Sequence, residues 1–168
     1  QVLTRGTKKF RFKNKLFSLD ATVIELCARL FDWAKFRTTK GAVKLHLLLD
    51  HEGYLPVFAH ITEGRVHEVN IAWELSFPKG SILAIDKGYV DYELFGRWTE
   101  KGVYFVTRQK GNADDRVARN RPRPENRNSL KDQIIQLRGY YAQQKCSYFL
   151  RRIEAWDQEN EQVIVLLT

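Results

Sequence analysis

Two aspartates stand where carboxylates can do chemistry. Asp20 interrupts an alternating stretch in which Phe17, Leu19, Ala21 and Val23 fall on one face and Ser18, Asp20 and Thr22 on the other. Asp86 closes the short apolar run Ser81 to Ile85 and is followed by Lys87 and Gly88. Carboxylates brought side by side repel strongly where the dielectric is low, unless a cation lies between them. Hard oxygen ligands with room for water and phosphate suit Mg²⁺ or Mn²⁺. Two such ions roughly 3.5–4 Å apart activate a water or a 3′-hydroxyl and steady the leaving oxygen of a phosphodiester. Taken singly, each aspartate has an ordinary reading, Asp20 as a solvated strand residue and Asp86 as a turn cap. The functional reading needs the fold to bring them together.

The elements that would do so are legible in part. Period-two alternation from Phe17 marks a strand with Asp20 at its middle. Leu26 to Trp33 gives no clear pattern beyond a short irregular or helical turn. Ala42 to Leu49 and Tyr54 to Thr62 read as a hairpin about the turn Asp50 to Gly53, and His67 to Ser76 as a helix. The run ending at Ile85 suits an interior strand covered on both faces. Asp91 is placed to cap a helix reaching about Lys101, Gly102 to close it, and Val103 to Thr107 to form another strand. The order β-β-β-α-β-α-β is that of an α/β (α+β) ribonuclease H-like mixed sheet. In that fold the first and fourth strands run side by side, so Asp20 and Asp86 would meet.

Beyond Arg108 the texture changes. Gln109 to Asn128 is rich in Arg, Asn, Asp and Pro and reads as a mobile or DNA-facing loop. Tyr148 to Trp156 and Gln162 to Leu167 then read as a hairpin about Asp157 to Asn160. The chain is thus expected to divide into a basic arm (1–16), a catalytic core (17–108) and a loop with a partial β-rich insertion (109–168).

Composition sets outer limits. The 168 residues carry 28 Lys and Arg against 20 Asp and Glu, a net charge of +8 that favours a polyanionic partner. No apolar run approaches the roughly 20 residues of a membrane span, and no signal-peptide core precedes Phe17, so a cytoplasmic location is expected. His46, His51, His60 and His67 fall in no zinc pattern, and Cys27 and Cys146 read as reduced thiols. A chain that begins at Gln1 and contains no methionine reads as a fragment.

Several stretches carry a family resemblance. They are Ser18 to Ile24; Phe31 to Ala34 with Phe36-Arg37; Lys40 to His46 running to Asp50; Ile61 to Gly64; Asp86 to Asp91; and Phe105 to Arg108 with Lys110. In order and spacing the chain resembles DDE transposases of the IS4-type insertion-sequence group along most of its length. The resemblance implies that Asp20 and Asp86 are the first two acidic residues of a catalytic triad and ligands of Mg²⁺ or Mn²⁺. The family's third residue is a Glu on a later helix, within a signature of Tyr, Arg, Glu and Lys. Glu93, Glu100, Glu125, Glu154, Glu159 and Glu161 stand in no such context, so the chain is expected to stop short of the third ligand and to be inactive alone. The family further implies double-stranded DNA as partner, both the inverted-repeat ends of the element and the target, with a homodimer assembled on it. Arg37, Lys40, Lys44, Lys87, Arg108 and Lys110 are the candidate phosphate contacts, and Glu68 stands where Asp is more usual. Two other functions stay open: a nuclease on the same fold, and a transposase remnant that binds DNA without cutting it.

Overall fold

The alternation that opens at Leu16 becomes an eleven-residue strand, β1 (Leu16–Leu26), with Phe17 and Leu19 turned into the core and Asp20 away from it. The computed structural model describes residues 13–26, 35–37, 40–123 and 128–168, with backbone alone at 35–37 and 40. A three-residue strand, β2 (Lys35–Arg37), precedes the hairpin of β3 (Lys40–Asp50) and β4 (Leu55–Glu63). Next come helix α1 (Glu68–Glu74), strand β5 (Ile82–Ile85), helix α2 (Tyr92–Glu100) and strand β6 (Tyr104–Arg108). Apart from the short β2, this is the expected order, and the anticipated fourth strand is β5. The unclear stretch Leu26 to Trp33 lies almost wholly outside the described residues.

The second part is more regular than its composition suggests. It holds β7 (Asp115–Asn120), β8 (Ser129–Leu137), α3 (Tyr140–Lys145), β9 (Leu150–Asp157) and β10 (Gln162–Leu167). The expected loop from Gln109 to Asn128 is therefore corrected, since β7 lies inside it and pairs antiparallel with β8. β7 is an edge strand whose residues are nearly all exposed, so it shows no alternation. Cross-strand side chains hold it instead: Arg116 donates to Gln136 Oε1 at 2.6 Å and Gln133 donates to Asn120 Oδ1 at 2.9 Å.

Among the described residues the strands form one mixed sheet in the order β2-β3-β1-β5-β6-β10-β9-β8-β7, with β4 also on β3. The run β4-β3-β1-β5-β6 is antiparallel through the first three strands and parallel across β1, β5 and β6. That is the ribonuclease H-like arrangement. α2 covers one face. Its capping residue Asp91 accepts from the amides of Glu93 and Leu94, at 2.9 and 3.1 Å, as the sequence predicts. Its inward residues Leu94, Phe95 and Trp98 are buried, and Phe95 stacks on Phe105 of β6 with ring centroids 4.0 Å apart. Gly96 lets α3 approach, because a Cβ there would lie 2.9 Å from the Lys145 carbonyl oxygen. Gly102 ends α2 at a φ of +67°, a backbone that glycine adopts without strain.

Candidate active site

Strand register decides what the two aspartates can do. β1 and β5 run parallel, with Ser18 beside Ala84 and Leu19 beside Ile85. One residue further along each chain stand Asp20 and Asp86. Neighbouring strands lie about 4.8 Å apart, so the two side chains leave adjacent backbones on one face. Alternation places them opposite the buried face of Leu19, Leu83 and Ile85, and both are exposed. β6 continues the row: Val106 sits beside Ala84, and Arg108 follows two residues on. Ser18, Asp20, Ala84, Asp86, Val106 and Arg108 line one cleft, with Leu166 of β10 at its side.

Local hydrogen bonds hold the two carboxylates. Asp20 Oδ1 accepts from the amide of Ala21 at 2.8 Å, and Asp86 Oδ2 accepts from the amide of Gly88 at 3.3 Å. The second bond starts a single 3₁₀ turn, Lys87–Tyr89, that carries the chain away from β5. Neither aspartate has an ion-pair partner among the described residues. No set of three His, Cys, Asp or Glu side chains able to hold a metal occurs among them either. The donor set is thus two hard carboxylates open to solvent, which fits a hydrated Mg²⁺ or Mn²⁺ better than a softer ion.

The candidate phosphate contacts separate on inspection. Arg108 lies in the cleft, Lys87 is exposed in the turn after Asp86, and exposed Lys110 donates to the Val90 carbonyl at 3.3 Å. The side chains of Arg37 and Lys40 lie outside the described residues. Lys44 is different. It occupies an inward position of β3, is 8% exposed, and gives its ammonium to Glu68 Oε1 and the Val66 carbonyl, both at 2.7 Å. A lysine held in this way is not offered to a phosphate.

Beneath the acidic pair lies a buried polar group. His46, fully buried, shares hydrogen bonds with Thr62 Oγ1 at 3.0 Å and with the Tyr89 hydroxyl at 3.4 Å. Burial lowers the His46 pKa, Lys44 and His60 add to that, and Glu68 only partly opposes it, so the ring stays neutral. Burial also raises the Tyr89 pKa, and the charges of Glu68, Asp20 and Asp86 raise it further. Burial pushes Glu68 upward, but the Lys44 hydrogen bond leads a set of contacts that outweigh it and hold the carboxylate below its ordinary value. The sequence does contain a signal for this group. Lys44 and His46 sit at alternate positions in the otherwise apolar run Ala42 to Leu49, which places both on one face of the strand, the inward one.

The family model described as "Transposase DDE domain" matches residues 11–162. The chain belongs to the DDE transposase domain family. A candidate transposase of Sinorhizobium fredii (strain NBRC 101917 / NGR234), y4zB, is 33% identical to this transposase domain over 103 residues, 61% of the chain. The aligned stretch spans 29% of that relative's length. The fold also resembles a piggyBac transposase from the cryo-EM structure of its synaptic complex with hairpin DNA. That match covers 90% of this chain and 32% of the other, at 10% identity and a TM-score of 0.49. A likeness of that size adds nothing to the argument from strand order. No described helix of the domain is long and apolar enough to cross a membrane.

Proposed function

We propose that this domain supplies the first two acidic ligands, Asp20 and Asp86, of a divalent-metal centre that cuts DNA at the ends of an IS4-type insertion sequence and joins those ends to a target. The observation that carries the reading is the β1–β5 register, which sets the two carboxylates on one face one residue beyond the Leu19 and Ile85 pair. Mg²⁺ or Mn²⁺ held there would supply Lewis-acid activation of a water or 3′-hydroxyl. The chain's own part is to hold two carboxylates on rigid neighbouring strands and to present cations to DNA. Lys87, Arg108 and Lys110 are the phosphate contacts around the cleft, with Arg37 and Lys40 earlier in the chain. Two carboxylates bind a hard cation weakly, so the 168-residue chain alone is expected to take up Mg²⁺ poorly and to cleave little. Its substrate in this reading is double-stranded DNA, and its assembly a homodimer on two ends.

The test uses the full-length transposase and labelled DNA carrying its inverted repeats. Asp20→Asn and Asp86→Asn should each abolish Mg²⁺-dependent cleavage while leaving DNA binding near wild type. Cleavage that survives either substitution removes the site from these residues.

A further inference from the structure

Beside the 3₁₀ turn that follows Asp86 lies the carboxylate of Glu68, which is not one of the acidic pair. Glu68 opens α1, and its Oε1 receives the Lys44 ammonium at 2.7 Å. Its other oxygen, Oε2, lies 3.6 Å from the point where a Cβ on Gly88 would sit. Asp86 Oδ2 lies 3.6 Å from that same point. Gly88 is thus flanked by the two carboxylates, and its amide is the one that holds Asp86 Oδ2. Glu68 itself is firmly held. Lys44 is buried on a central strand and fixed a second time by the Val66 carbonyl at 2.7 Å. On the other side of the turn Tyr89 is 1% exposed and meets His46. The turn therefore has a buried anchor at Tyr89 and a carboxylate filling the space beside Gly88, and Asp86 is joined to both residues through the chain.

We propose that Glu68, locked by Lys44, is a positioning residue for Asp86: it fixes the turn 87–89 so that Asp86 stays aimed beside Asp20. This rests on the reading of Asp20 and Asp86 as metal ligands. A purely structural ion pair would only tie α1 to β3. The approach of the second Glu68 oxygen to the turn is what extends its effect to the ligand. Residues that orient a ligand commonly change metal affinity by about 10–100-fold when removed.

The experiment measures Mn²⁺ binding to the full-length protein by water-proton relaxation, with DNA affinity and circular dichroism as checks on folding. Glu68→Gln should weaken Mn²⁺ binding about tenfold, and Glu68→Asp, which keeps the charge, should recover most of the loss. The double variant Lys44→Met with Glu68→Gln leaves no buried charge unpaired and guards against a folding failure. It should bind Mn²⁺ as weakly as Glu68→Gln. Asp86→Asn serves as the reference for a lost ligand. Wild-type Mn²⁺ affinity in Glu68→Gln and the double variant, with binding lost in Asp86→Asn, overturns the positioning role alone. Wild-type affinity in Asp86→Asn overturns the ligand reading, and the inference falls with it.

Discussion

The two parts of the sheet treat their aspartates in opposite ways. From β1 to β6 the inward positions are mostly apolar: Phe17, Leu19, Leu83, Ile85 and Phe105 pack against Leu94, Phe95 and Trp98, with Lys44, His46 and Thr107 as buried polar exceptions. From β7 to β10 the buried apolar residues Ile135, Leu137, Leu150 and Leu167 share the interior with arginine–aspartate pairs. Asp132, 3% exposed, takes both Nε and Nη2 of Arg151 at 2.9 and 2.6 Å, with Arg121 at 3.8 Å. Asp115 takes Arg152 at 2.7 Å and the Gln109 amide at 2.6 Å. In the second region an aspartate inside the sheet comes with its own guanidinium. In the first, Asp20 and Asp86 stand on adjacent strands with no such partner among the described residues. An aspartate already neutralised by arginine is held for stability, whereas a neighbouring pair left without a protein cation is available to an external one.

The largest expected effect sharpens that distinction. Loss of one ligand from a shared metal centre should lower single-turnover cleavage on the order of a thousandfold, for Asp20→Asn and Asp86→Asn alike. In the proposed reading the two act as a unit, so the double variant should fall no more than about threefold further. Multiplying losses in the double variant would mean that the carboxylates work separately. Asp132→Asn, by contrast, should leave cleavage per folded molecule unchanged.

Stability should compare the aromatic core of the first region with the ion pair of the second. Phe95→Ala removes a fully buried ring stacked on Phe105 and should cost about 3–5 kcal/mol in urea unfolding. Asp132→Ala should cost less, about 2 kcal/mol, because Arg151 is 35% exposed and can turn to water once its partner is gone. Equal losses would mean that the second region relies on its ion pair as heavily as the first relies on its aromatic core.

What was legible in the sequence follows the same division. The alternation that opens at Phe17 and Leu19 and the run Ser81 to Ile85 report strands with a buried face, because apolar burial leaves a period in the sequence, whereas Val23 further along β1 is exposed. Their topology then brings Asp20 and Asp86 together. β7 could not be read this way: an exposed edge strand held by Arg116, Gln133 and Asn120 has the composition of a loop. β8 and α3 went unread for a related reason. β8 alternates only over its last residues, where Ile135 and Leu137 are buried, and α3 has no buried residue at all. At the site, charge alone could not separate Lys44 from Lys87, which needs the knowledge that Lys44 faces inward beside Glu68.

Acid should probe the ionic region selectively. The Arg151 hydrogen bond, assisted by the charges of Arg151 and Arg121, holds Asp132 below the ordinary aspartate value of 3.8 against the opposing effect of burial. A depressed carboxylate contributes stability in full above its unfolded pKa and loses it as pH falls through the lower folded value. Unfolding free energy measured from pH 6 downward should therefore drop more steeply below about 3.8 in wild type than in Asp132→Asn. Parallel curves would show that the pair contributes nothing through its charge.

The smallest effect concerns cations on either side of the divide. Arg108 is exposed at the cleft, whereas Arg151 and Arg152 are committed to Asp132 and Asp115. Each phosphate contact releases a counterion, so its loss reduces the slope of log affinity against log salt by about one. Arg108→Ala in the full-length protein should show that reduction with a modest loss of affinity for every DNA sequence tested. Arg152→Gln should leave the slope unchanged, because a guanidinium spent on a carboxylate has no counterion to release. An unchanged slope in Arg108→Ala would remove this residue from the DNA path, while a reduced slope in Arg152→Gln would show that the ionic region also faces the duplex. The two slopes together determine whether the boundary between the regions is also the edge of the DNA-binding surface.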